Sequence, residues 1–133
     1  MATPLQRATM GICMAVAIED GDFAKEEFLL IARVVCDHPI FEGLSDEELR
    51  NLREAVFDDL EPGDLLSSVA HFTQDIPPAM GLQVFKLALD VMYADGIVDD
   101  DEGLLVVRLA RLLGISDADF STAAGRAKRR SLY

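Results

Sequence analysis

Residues 93–102 read Tyr93-Ala94-Asp95-Gly96-Ile97-Val98-Asp99-Asp100-Asp101-Glu102. The stretch joins two apolar segments of helical period. Five carboxylates fall within the eight residues from Asp95 to Glu102, and no base is among them. Much of the run serves as punctuation between helices. Gly96 sits just past a helix end, where a positive φ is wanted. Asp99 is a good N-cap, and Glu102 three residues later completes a capping box. Asp100 and Asp101 then occupy a first helical turn, where negative charge suits the helix dipole. Asp95 does not fit that account, because it lies at the C-terminal end of the preceding helix, where negative charge is disfavoured.

The pattern occurs twice. Asp20-Gly21 precedes Asp95-Gly96 by 75 positions, and Glu27 precedes Glu102 by the same 75. Arg33 and Arg108 match at 75 as well, each a base within an apolar helix. The unit is an apolar helix, Asp-Gly, five residues, Glu, and a second apolar helix. Two such helical hairpins pack about a pseudo-twofold axis, each burying the face its twin cannot.

Working outward from the two corners, helix-period spacing dominates and no two-residue alternation is sustained. The expected fold is all-α, a single compact bundle of about seven helices built from two pseudo-twofold-related hairpins. Residues 5–19 form the first helix, with Ile12, Met14 or Ala15, and Ile18 inward. Residues 24–37 form the second, apolar nearly all round and therefore central, ended by Pro39. Ser45-Asp46-Glu47-Glu48 is a capping box opening a third helix, with Leu49, Leu52, Val56 and Leu60 on one face. Pro62-Gly63 breaks it. A shorter amphipathic piece covers Leu65 to Phe72. Pro77-Pro78 opens the fifth helix, which runs to about Ala94 with Gln83, Lys86 and Asp90 as its polar stripe. The sixth, 99–113, is expected to bury Leu104, Leu105, Val107, Leu109, Leu112 and Leu113, and Gly114 stops it. Ser116 with Asp119 caps the last helix, 117–128. The organisation is one helical domain over residues 1–125 and a short basic tail over 126–133.

The chain has 133 residues and half are apolar, so it can bury a real core and does not have the composition of a disordered acidic tail. Its formal net charge is -12, which repels nucleic acid and anionic membrane surfaces and leaves cations and proteins as partners. The charge is uneven: Arg126, Lys128, Arg129 and Arg130 are four of the 12 bases, and no acid follows Asp119. Cations there complement a helix C-terminus; the alternative is a tether to an acidic surface. No stretch approaches the roughly 18 apolar residues of a membrane span, and no signal pattern opens the chain. Cys13 and Cys36 read as buried thiols in a reducing compartment. The expected location is the cytoplasm.

Two readings of the repeated acids stand side by side. In one they are caps and solubility charges. In the other, the disfavoured carboxylates at Asp20 and Asp95 are neutralised, either by Arg33 and Arg108 or by a bound cation. Hard divalent cations take carboxylate and carbonyl oxygens, which such a corner offers in quantity. The loop is not an EF-hand, which needs glycine at its sixth position and glutamate at its twelfth.

The Asp-Gly-x5-Glu unit, its duplication at this separation, and the 93–102 phrase resemble the TerB family of tellurite-resistance proteins. So do Met10-Gly11 opening the apolar helix before Asp20-Gly21, and the ending Leu112-Leu113-Gly114-Ile115-Ser116-Asp117-Ala118-Asp119-Phe120. The likeness covers roughly Met10 to Phe120. It implies an all-helical pseudo-twofold domain whose acidic surface binds divalent cations (calcium, zinc or manganese). It also implies a cytoplasmic role in resistance to tellurite and related stresses, alongside other proteins of that system. Asp20, Glu27, Asp95, Asp99 and Glu102 match the family's acidic positions. Ala24 stands where the second copy has Asp99, with Asp22 as the acid that substitutes. The metal ligands so implied are Asp20, Asp22, Glu27, Asp95, Asp99 and Glu102.

Catalytic readings are weaker, and the expectation is a non-enzymatic domain. Cys36-Asp37-His38 lacks two further ligands for a zinc site. Ser67, Ser68 and His71 share a short helix with no nucleophile elbow or oxyanion hole. Asp20 and Asp95 would serve as acid and base of a carboxylate hydrolase only if a cleft joined the two corners. A metal-independent interaction module, accessory or co-chaperone-like, is the other alternative.

Overall fold

A computed structural model describes residues 2–18, 38–60, 64–93 and 100–131. Among the described residues the backbone forms six α-helices, two 3-10 turns and no strand, so the all-α class holds. The helix expected over 24–37 lies outside the described residues, as does the Asp20-Gly21 corner that precedes it.

Helix α1 spans Pro4–Ile18. Thr3 and Gln6 open it as a reciprocal pair: the Gln6 N–H donates to the Thr3 hydroxyl at 3.1 Å, and the Thr3 N–H donates to Gln6 Oε1 at 2.9 Å. Pro4 takes the first helical position, where its missing N–H costs nothing. The Gln6 amide also donates to the Ile40 carbonyl at 3.0 Å, which ties the start of α1 to the 3-10 turn Pro39–Phe41. Every residue from Ala8 to Val16 is buried. The sequence pattern assigned this helix only one inward side; the structure surrounds it. No charged residue falls between Arg7 and Glu19, so no face of that segment requires water.

Three helices cover α1. Helix α2, Asp46–Asp59, begins with the expected capping box: the Glu48 N–H donates to the Ser45 hydroxyl, and the Ser45 N–H to the Glu48 carboxylate. Leu49, Leu52 and Val56 are its buried stripe, and Leu60 is buried just beyond it. Helix α3, Leu65–Thr73, is capped by Asp64, whose carboxylate accepts from the Ser67 N–H at 3.2 Å. Pro77-Pro78 opens first a 3-10 turn, Pro78–Met80, and then α4, Gly81–Tyr93. Helices α2, α3 and α4 each pack on α1.

Helix α5, Asp100–Leu113, packs on α3 and α4. It buries Leu105, Val106, Leu109 and Ala110. Two expectations are corrected here: Val107 is 38% exposed and Leu112 45%. They lie on the outward side of a helix whose i, i+1, i+4, i+5 edge faces the core, and an apolar run does not say which edge that is. Leu113 is half-buried. Gly114 stops the helix with a φ of 71°. Its N–H donates to the Arg111 carbonyl, and the Ile115 N–H reaches back to that of Ala110, the paired bonds of a Schellman ending.

Ser116 caps the last helix, α6, Asp117–Ser131, by accepting from the Asp119 N–H at 3.2 Å. This helix takes in Arg126 and runs three residues past the expected end at 128. Ala123 and Ala127 are buried against α4, and the Phe120 ring lies 5.4 Å from that of Phe85.

Candidate functional site

The second acidic corner is framed by two helices packed on one another. α4 ends at Tyr93 and α5 begins at Asp100. Glu102 stands in the first turn of α5. Asp95 and Asp99 lie outside the described residues, as do Asp20, Asp22 and Glu27 of the first corner. Among the described residues, no three His, Cys, Asp or Glu side chains gather as metal ligands. Arg108, the base that follows the second acid run, is exposed. Its position is about 9 Å along the axis of α5 from that of Glu102 and roughly a third of a turn around it.

His38 forms the N-cap of the 3-10 turn Pro39–Phe41. Its Nδ1 accepts from the Ile40 N–H at 3.2 Å, so in the neutral ring the proton sits on Nε2. Burial lowers the His38 pKa below its ordinary value, while the charge of Asp90 acts in the opposite sense. This capping role is the ordinary one for a histidine before a proline, and it occupies one of the two nitrogens a zinc ion would use. Cys36 and Asp37 lie outside the described residues.

Ser67, Ser68 and His71 line a cleft of about 460 Å³ beside the Arg7–Asp59 ion pair. The hydroxyl of Ser68 donates to the Asp64 carbonyl at 3.5 Å, and the His71 ring meets Phe72 edge-on at 6.0 Å. The first belongs to a helix N-terminus, and the second is an edge contact of an exposed ring on a buried one.

A second cleft, of about 270 Å³, was not anticipated. Gln83, Lys86 and Asp90, the polar stripe of α4, form one wall; Arg126 of α6 and His38 stand across from them. The stripe was legible at 3- and 4-residue spacing. What covers it comes from α6 and from the turn after residue 37, which no local pattern connects to α4.

Cys13 lies at the centre of α1 with no exposure. Burial, followed by the charge of Asp90, pushes its thiol up to about 12. It is a small apolar core residue and not a nucleophile or a metal ligand at neutral pH.

The described helices form a small all-helical domain wrapped around one buried helix. Residues 6–125 match the family model described as tellurite resistance protein TerB, and the chain belongs to that family. No curated protein and no solved structure matches it. Among the described residues, no helix is long and apolar enough to cross a membrane.

Proposed function

We propose that this TerB domain is a non-catalytic cytoplasmic module that binds divalent cations through its two Asp-Gly-x5-Glu corners. Its acidic surface then engages other proteins of a tellurite and stress-resistance system. Asp20, Asp22 and Glu27 are the ligands of one corner; Asp95, Asp99 and Glu102 are those of the other. The observation that carries this reading is the spacing along α5. Five carboxylates precede or open the helix, while Arg108 is exposed about two turns further on. A base so placed is a poor neutraliser for the acid run, and a hard cation with oxygen preference supplies the charge better. Family membership supports the same reading.

The metal-independent alternative has its own support. This chain caps helices with acids and their amides elsewhere, at Thr3–Gln6, Ser45–Glu48 and Asp64. The two readings separate in one experiment, thermal unfolding with calcium, zinc or manganese. A metal at 100 times its Kd adds about 2.7 kcal/mol. With an unfolding entropy of about 2.1 cal/mol/K per residue, that is a rise of about 10 °C in Tm. Asp95→Asn and Asp20→Asn should each abolish part of the rise. No shift with any of the three metals at millimolar concentration, with both variants as stable as the parent or slightly more so, refutes the metal reading and leaves the capping account.

A further inference from the structure

The cleft between α4 and α6 is built from unlike parts. Its floor is apolar, with Leu87 and the buried Ala123 and Ala127. Among the described residues its rim carries two cations, Lys86 and Arg126, the amide of Gln83, and His38, against one acid, Asp90. His38 presents a donor at neutral pH, since Ile40 occupies its Nδ1 as an acceptor. Lys128, Arg129 and Arg130 follow Arg126 on the same helix, so this end of α6 is locally basic in a chain of net charge -12. An apolar floor strengthens charge interactions at the rim by lowering the local dielectric. The volume, about 270 Å³, lies just under the roughly 300 Å³ at which pockets begin to hold drug-sized ligands, so it suits a molecule of few heavy atoms.

We propose that this cleft binds a small oxyanion-bearing molecule, its phosphate or carboxylate group held by Lys86 and Arg126 with the His38 and Gln83 donors, and with a hydrogen-bond donor of the ligand meeting Asp90. None of the acids proposed as metal ligands is among the residues lining the cleft, and the proposal does not require metal binding at the corners. Lys86 and Asp90 are four residues apart on one helix, so an anion held by Lys86 lies about one helical turn from a carboxylate. A ligand that also carries an ammonium can direct it toward the Asp90 carboxylate. The cleft therefore distinguishes a bare anion from an anion with a cationic arm.

The test follows backbone amide resonances of metal-stripped full-length protein during titration with inorganic phosphate, acetate and phosphoethanolamine, at ionic strength matched with sodium chloride. Saturable shifts are expected at the amides around Lys86, Asp90 and Arg126, with phosphoethanolamine tighter than phosphate. Comparing phosphate with acetate identifies which oxyanion the cleft prefers. Lys86→Gln and Arg126→Gln should each weaken binding by about tenfold or more, the loss of one charge-assisted hydrogen bond. Asp90→Asn should tighten bare phosphate and erase the advantage of phosphoethanolamine, an effect that a purely structural ion pair would not give. Shifts no different from those in sodium chloride, or Lys86→Gln and Arg126→Gln variants that bind as the parent does, would overturn the proposal. Because metal is absent throughout, neither result depends on the acidic corners.

Discussion

Gly11 offers a direct test of how α1 is packed. It lies in the middle of a helix, where glycine costs about 1 kcal/mol relative to alanine. Local propensity therefore favours Gly11→Ala. The structure opposes it. A Cβ built on Gly11 would stand 2.5 Å from two atoms of the Phe72 ring and 2.8 Å from a third. Ordinary carbon contacts are about 3.5–4.0 Å, so the ring or the helix must retreat by about 1 Å. Phe72 is only 5% exposed and has little room to swing. Overpacking of this kind costs about 1–3 kcal/mol, and the upper half applies when the contact is this short. After the propensity gain, the net loss is about 1–2 kcal/mol, or about 4–7 °C in Tm for a chain of this length. Urea denaturation of the parent, Gly11→Ala, Phe72→Leu and the double variant measures it. In the Phe72→Leu background the ring is gone, and Gly11→Ala should become neutral or stabilising. If Gly11→Ala alone is as stable as the parent, or its cost is the same with and without Phe72, then α1 and α3 do not approach as closely as described.

Other consequences are more local. Ser45→Ala removes the cap of α2 and should cost about 1 kcal/mol by chemical denaturation, with Ser45→Asp restoring most of it. Cys13 should resist alkylation at pH 8 in the folded protein and react only on unfolding, measured in a Cys36→Ser background. Its thiol is raised from 9.0 to about 12, so the unfolded chain ionises first; stability should fall as pH rises from about 9 to about 12 and recover in Cys13→Ala if the cavity is tolerated. His38 shows the opposite window. Its folded pKa is lowered, so the unfolded state binds the proton more readily, and stability should fall as pH drops through the ordinary histidine range. His38→Asn keeps an acceptor for the Ile40 N–H and should flatten that dependence between pH 5 and about 7.5; an unchanged slope would place the titrating group elsewhere.

Helix ends were the most legible part of this chain. Ser45 with Glu48, Ser116 with Asp119, Gly114 and Pro77-Pro78 each act within a few residues, and the described boundaries fall within a residue or so of most expectations. Two boundaries differ. Pro78 initiates a 3-10 turn before α4 begins, and α6 continues to Ser131, three residues past its expected end. The duplicated acids are a matter of spacing alone, since all but Glu102 lie outside the described residues; the separation of 75 residues needs no coordinates, and neither does membership of a helical family.

Tertiary structure alone decided which surface each helix shows to its neighbours. An apolar run such as α5 announces burial without naming its inward edge, and Val107 and Leu112 came out on the solvent side. The α4–α6 cleft joins Lys86 to Arg126 across two elements that share no local signal. Gly11 reads locally as a weak point in a helix and becomes necessary only where α3 brings Phe72 against it. Capping and turn preferences are short-range and are written into neighbouring residues. Faces, clefts and close approaches arise from excluded volume between segments far apart in the chain, and only the folded molecule brings those segments together.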